Sequence, residues 1–255
     1  FCCNPHNQRK MTPVRAIFFD LGKTLIYPKD SWQSSFLRAN KSLAQALAAQ
    51  EIAIDTRSFP YEFAECLNQY YVDRETTLRE TTTFRMLQQL VAEKGFPDAP
   101  VSKLRIALDA FYATTQQNWL LENDAHAALR ALKLNDYKLA LISNAGDDAD
   151  VQTLIDKNSL RPYFSFIRTS AASGFRKPHR HIFEEALNEL GLFPQQCAMV
   201  GDTLDADIKG ANALGIYSIW INRRVNQNTK TLIDIRPKAV IQELIQLPKL
   251  LLQIP

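Results

Sequence analysis

Four short polar clusters in this sequence each follow an apolar run, and together they hold the side chains needed for chemistry on a phosphate. The first is Asp20-Leu21-Gly22-Lys23-Thr24 and the second Ser143-Asn144-Ala145-Gly146. Lys177 lies in a third, Gly174-Phe175-Arg176-Lys177-Pro178, and the fourth is Gly201-Asp202 with Asp205 and Asp207 behind it. Read as chemistry, these are a nucleophile, hydroxyl and amide donors, a cation and a carboxylate cluster. Carboxylates brought together from neighbouring strand ends repel unless a cation lies between them. A hard ion such as Mg²⁺ suits oxygen donors from carboxylates, a backbone carbonyl and a phosphate. Ser143 Oγ, backbone N–H groups and Lys177 would then hold the phosphate oxygens and offset charge in the transition state.

Each cluster has an ordinary reading when taken alone. An Asp or a Ser-Asn pair after a strand is most often turn or capping chemistry, and a lone lysine is a surface lysine. The weight lies in their joint order, each at a predicted strand end, where the ligand crevice of a parallel sheet forms.

The strands expected to position them are Val14 to Asp20, Lys138 to Ser143, Phe164 to Thr169, Cys197 to Asp202 and Tyr217 to Asn222, all short apolar runs suited to a sheet buried on both faces. Helical patterns separate them. One starts at Asp124, a predicted N-cap, and carries Ala125, Leu129 and Leu132; another carries Ile182, Phe183, Ala186, Leu187 and Leu190 and stops at Gly191. Alternating strands and helices predict a Rossmann-like α/β fold with helices on both faces of a parallel sheet. From about Pro28 to Trp119 only helical periodicity is found: Phe63, Cys66, Leu67, Tyr70 and Tyr71, then Phe84, Leu87 and Val91, then Leu104, Leu108, Phe111 and Tyr112. A block of that length is no simple crossover, and it reads as a separate all-helical lobe on two linkers, near Ile26–Pro28 and Leu120–Asn123. Tyr70 and Tyr71 are assigned to the lobe's core, and Trp32, Arg38 and Arg57 are set down as residues that could face the crevice. The tail, from Thr231, offers a strand-like run at Ala239–Ile241 and an apolar helical stub.

At 255 residues with a formal charge of +3, nothing in the charge favours nucleic acid or a membrane surface, and neither is expected as a partner. No run nears the roughly 18 apolar residues of a membrane span. The polar stretch Phe1 to Lys10 lacks the apolar segment of a signal peptide, and residues 1–10 are set aside as a disordered leader ahead of Met11. Four cysteines without framework spacing, and His179 and His181 without cysteine partners, point to neither a disulfide scaffold nor a zinc site. The expected compartment is the reducing cytoplasm, and the expected assembly a monomer or homodimer.

In their order, Asp20 to Thr24, Ser143-Asn144, Lys177-Pro178 and Gly201-Asp202-(x)₄-Asp207 resemble the four motifs of the haloacid dehalogenase superfamily, and the helical insert after the first resembles its type-1 cap. The resemblance spans nearly all of Val14 to Arg223. Val200 to Asp207, continuing to Asn222, is further similar to the phosphatase branch containing N-acylneuraminate-9-phosphatase and related nucleotidases. It implies a core of residues 11–27 and 120–255 with a cap of residues 28–119. It also implies a Mg²⁺-dependent hydrolase of a small phosphorylated metabolite, a phosphate monoester. Asp20 would be the nucleophile that becomes an aspartyl-phosphate and also a metal ligand. Asp202 would be a direct ligand with Asp207 and Thr24 in support. Ser143, Asn144 and Lys177 would hold the phosphoryl group, and the carbonyl of Gly22 would face the metal.

Most phosphatases of the family have an aspartate where this chain has Gly22, and use it as general acid and then base. Glycine keeps the carbonyl and loses the proton donor, a deficit of ~10²–10⁴ in rate, roughly 3–5 kcal/mol. Lys23 is a weak substitute, since an ordinary lysine, with pKa near ~10.4, holds its proton at neutral pH. The expectation is therefore a slow phosphatase that favours aryl or acyl phosphates. Two rivals stand beside it: a catalytically impaired phospholigand-binding protein, motivated by Gly22, and a 2-haloacid dehalogenase, which needs no metal and to which Gly201-Asp202 is foreign.

Overall fold

The computed structural model describes residues 13–224 and 234–254. The leader expected at residues 1–10, with Cys2 and Cys3, lies outside the described residues.

Six parallel strands form the main sheet in the order β5-β4-β1-β6-β7-β8. They are β1 (Ala16–Phe19), β4 (Lys138–Ser143), β5 (Phe166–Thr169), β6 (Cys197–Gly201), β7 (Tyr217–Ile221) and β8 (Ala239–Ile241). The Rossmann-like parallel sheet expected from the apolar runs is therefore what forms. From β1 the chain builds outward to β4 and β5 on one side, then returns to add β6, β7 and β8 on the other. That reversal puts the carboxyl ends of β4, β1 and β6 side by side, where an open α/β sheet binds ligands. In register, Phe19 faces Leu141 on β4 and Val200 on β6.

Strand alternation explains why each run is apolar throughout. Ile17, Phe19, Leu139, Leu141, Ala198 and Val200 point to one face, against α5 (Ala125–Leu134), α6 (Asp148–Lys157) and α10 (Leu247–Leu251). Ala16, Phe18, Ala140, Ile142, Cys197 and Met199 point to the other, against α8 (Arg180–Leu190) and α9 (Lys209–Leu214). Gly191 ends α8 with φ 64°, the left-handed geometry glycine adopts at a helix stop.

The residues between β1 and α5 hold four helices, α1 (Trp32–Ala49), α2 (Phe59–Thr77), α3 (Thr83–Glu93) and α4 (Val101–Gln116). They enclose their own apolar cluster, with Leu43, Leu47, Phe63, Leu87, Leu104 and Leu108 fully buried. A last helical turn, α7 (Ser170–Ser173), follows β5 directly.

Two details differ from the sequence reading. The linkers are not loose: β2 (Ile26–Pro28) and β3 (Trp119–Leu121) pair antiparallel, Ile26 opposite Leu121 and Pro28 opposite Trp119. Asn118 closes the ribbon, accepting from Asp30 N at 2.7 Å and donating to Asp30 O at 3.1 Å. Asp124 stands at the N-cap position of α5 but caps nothing. Its carboxylate instead takes Arg223 at 2.9 Å and the backbone N–H of Ile245, because a cation from a distant loop is a stronger partner than an amide of the first turn.

Candidate active site

β1 ends one residue before Asp20, whose N–H bonds Val200 O across to β6 at 2.9 Å. The chain then turns tightly: Leu25 and Ile26 both donate to Leu21 O, and Lys23 takes φ 57° at the turn's tip. The turn aims the Asp20 carboxylate into the crevice instead of along the strand. After β6, a wide π-type turn at Leu204–Ile208 swings Asp207 back under Gly201. A Cβ on Gly201 would lie 2.2 Å from Asp207 Oδ2, so glycine is the only residue that lets this carboxylate close.

Asp20, Asp202 and Asp207 consequently bring carboxylate oxygens within 4.8 Å of one another. Lys177 is the cation among them. Its Nζ donates to Asp20 Oδ1 at 2.6 Å and to Ile142 O at 2.8 Å, and stands 2.7 Å from Asp207 Oδ1 as an ion pair off the hydrogen-bonding angle. Burial opposes the charge on Lys177, but Asp20 and Asp207 together outweigh it and raise its pKa. One ammonium does not balance three carboxylates. Burial, then repulsion from Asp20 and Asp207, pushes Asp202 up to about 7. Asp207 is pushed up to about 6 by burial, with Lys177 acting against it. A set of hard oxygen donors short of positive charge fits a divalent cation such as Mg²⁺, with Asp20 and Asp202 facing the crevice and Asp207 behind.

Asn144 lines the crevice beside Ser143. It donates to Lys177 O at 2.9 Å and accepts from Lys177 N at 2.8 Å, so its amide clamps the Lys177 backbone. Ser143 is buried at the tip of β4, lines the crevice and makes no side-chain hydrogen bond among the described residues. Thr24 is fully buried beneath the turn, its Oγ1 without a hydrogen-bond partner among the described residues. Gly22 lines the crevice, and Trp119 from β3 packs 3.5 Å from where its Cβ would be.

The four-helix block covers this end of the sheet and leaves a cavity of about 1180 Å³ between them. Trp32 lines it, as do Tyr70 and Tyr71, which also pack against the helical block's apolar cluster. Arg38 and Arg57 do not: Arg38 turns back to Ser35 Oγ, and Arg57 is exposed ahead of α2. Several residues at this junction left no mark in the sequence. Glu80, its side chain fully buried, reaches from the helical block to Arg176 and Ser170 Oγ and also accepts from the Tyr70 hydroxyl. Arg105 on α4 pairs with Asp147, the N-cap of α6, at 2.6 Å. Thr83 N donates to Gly146 O at 2.8 Å, and a Cβ on Gly146 would strike the Thr83 hydroxyl. These contacts hold the helices down on the loops that carry Lys177 and Ser143. Glu80→Ala would strand a buried guanidinium, at a cost of about 3–5 kcal/mol. The expected result is a thermal midpoint lower by roughly 6–20 °C in scanning calorimetry, and an unchanged midpoint would show that the pair holds nothing together.

Residues 14–215 match the haloacid dehalogenase-like hydrolase family. The chain is 28% identical to the N-acylneuraminate-9-phosphatase of Rattus norvegicus over 94% of its own length and 95% of that protein's. It is 31% identical to haloacid dehalogenase-like hydrolase domain-containing protein 3 of Danio rerio, over 92% and 96%. Among solved structures, a 2-haloacid dehalogenase from Pseudomonas syringae pv. Tomato superposes with a TM-score of 0.71 at 23% identity, covering 94% of this chain and 99% of that one, a likeness of fold. With strand-end clusters in one crevice and a match over most of its length, the chain belongs to the haloacid dehalogenase-like hydrolases.

Proposed function

We propose that this phosphatase-type hydrolase cleaves small phosphate monoesters through Asp20, with Mg²⁺ held by Asp20, Asp202 and the Gly22 carbonyl. The observation that carries the reading is the convergence of Asp20, Asp202 and Asp207, the first and last of them paired with Lys177. Residues 11–27 and 120–255 serve as the catalytic core, and residues 28–119 as a cap that shuts the crevice from water.

Asp20 is the one carboxylate of the three at the end of the central strand, and Lys177 Nζ donates to its Oδ1 at 2.6 Å. Its free oxygen attacks phosphorus. A P–O bond to Asp20 forms as the P–O bond to the leaving group breaks, giving an acyl phosphate. Water then attacks phosphorus, inorganic phosphate departs, and the carboxylate is restored. Ser143 Oγ holds a phosphoryl oxygen, Lys177 offsets its charge, and Asn144 fixes Lys177 through its backbone. Mg²⁺, when bound, neutralises charge on the phosphoryl oxygens and between the carboxylates. Asp207, buried and paired with Lys177, keeps that side chain from swinging out. No residue at position 22 gives a proton to the departing oxygen, which must take one from solvent, so leaving groups stable as anions are favoured.

The test is a panel of aryl, acyl and alkyl phosphates assayed with Mg²⁺ and with EDTA. Turnover of aryl and acyl phosphates that EDTA abolishes is expected. Turnover that survives EDTA would overturn the metal assignment, and halide released from a 2-haloacid in EDTA would revive the dehalogenase reading. Binding of phosphorylated compounds without turnover of any would favour the phospholigand-binding reading, which Gly22 keeps in view.

A further inference from the structure

The cavity is too large for a phosphate alone, and its cap wall carries one cation. Ligand pockets usually measure ~300–1,000 Å³, and this one is about 1180 Å³. Of the core cations that line it, Lys177 is held by two carboxylates and Arg176 by Glu80, while Lys23 and Lys209 stand at the phosphate end, on the segments that follow Asp20 and Asp207. From the cap, Trp32, Tyr70, Tyr71, Met86, Phe111 and Tyr112 supply an apolar and aromatic surface. Arg74 is the single cap residue lining the cavity that bears positive charge.

Arg74 lies in the last turn of α2, and its guanidinium stacks over the Tyr71 ring at 4.2 Å, with the Tyr70 ring 5.7 Å away. The stacking leaves the edge of the guanidinium plane, where its donors point, free to meet an acceptor. Among the described residues it donates no hydrogen bond, and Nε is buried without a partner. Glu75 approaches Nε only to 3.5 Å, and its side chain is 67% exposed. Such a solvated pair holds a guanidinium weakly. A basic residue near a helix C-terminus also complements the helix dipole. That bland role is met by charge alone and explains neither the position on the cavity wall nor the unfilled donors.

We infer that Arg74 recognises a second anionic group on the substrate, so that the preferred compounds are phosphate esters carrying a carboxylate or a second phosphate. The inference rests on the phosphatase reading and names its substrate class. The phosphate goes to Asp20 and Lys177, the apolar and aromatic wall covers the carbon skeleton, and Arg74 takes the far charge in a two-pronged hydrogen bond.

Three esters test it on the full chain with Mg²⁺: one of a hydroxy acid, one bearing a second phosphate and one of a neutral polyol. For Arg74→Gln, the kcat/KM ratio of the preferred anionic ester to the neutral one is expected to fall roughly 10- to 100-fold, mostly through KM. Arg74→Lys should restore it only in part, because an ammonium cannot present the fork. Whichever anionic ester shows the loss identifies the group. An unchanged ratio for both, or equal losses on all three esters, overturns the inference. A parallel titration keeps it testable should the chain turn over nothing. A phosphonate carrying a carboxylate should bind the wild type more tightly than a neutral phosphonate, and Arg74→Gln should erase that difference. Failure of turnover with this difference intact would sink the phosphatase reading and leave the anion site standing.

Discussion

Asp20→Asn is expected to stop turnover, by at least ~10⁴-fold, in a protein that still folds. The amide matches the carboxylate in shape but has no lone pair nucleophilic enough to displace an ester oxygen. It also removes one of three negative charges that crowd within 4.8 Å, which relieves repulsion on Asp202. Lys177 loses its Asp20 partner yet keeps Ile142 O and Asp207. Those two changes oppose each other, so the thermal midpoint should move by only a few degrees. Steady-state kinetics on an aryl phosphate, with melting followed by circular dichroism, reads both quantities. The wild type, quenched during turnover, should also carry a hydroxylamine-sensitive acyl phosphate that the variant lacks. Were Asp20→Asn to retain substantial turnover, water would be attacking phosphorus directly and the covalent route would be wrong.

Much of this was legible because it lies within short stretches of chain. A strand buried on both faces must be apolar at every position, so the β1, β4 and β6 runs stand out, and any polar residue ending them is conspicuous. Asp20, Ser143 and Asp202 were found that way, and adjacency of their strands did the rest. What escaped notice depends on pairs distant in sequence. Glu80 meets Arg176 across 96 residues, and neither has a neighbour in the chain that betrays the other. The β2–β3 ribbon pairs three residues with three others about ninety positions away, too short to show any alternation. Asn144 follows β4 as its run implies, but the bonds of its amide to the backbone of Lys177 are encoded by no spacing. Tyr70 follows the helical stripe, as read, while its hydroxyl reaches Glu80 and its ring borders the cavity. Periodicity reports which face a residue is on, not what its polar tip finds there.

Gly22→Asp is the change with the largest expected gain. Position 22 can accept a side chain: its backbone lies outside the left-handed region, and the nearest atoms to a new Cβ are the Trp119 ring at 3.5 and 3.9 Å, ordinary contact. The carboxylate would stand two residues after Asp20, in the crevice that Gly22 already lines. Beside an aromatic ring and a carboxylate cluster, it would be pushed towards its protonated form, the form an acid needs. Alkyl esters should benefit most, since an alkoxide departs poorly without a proton. Their kcat/KM is expected to rise ~10²–10⁴-fold. Aryl and acyl phosphates, whose leaving groups are stable as anions, should gain no more than about tenfold. Comparing the two classes separates acid catalysis from any general effect of the new charge on metal binding, which would move both alike. An equal gain on both classes would mean that the missing aspartate is not the chain's limitation. A loss on both would mean that a fourth carboxylate disturbs the cluster more than it helps, and that Gly22 belongs to a site built for binding rather than turnover.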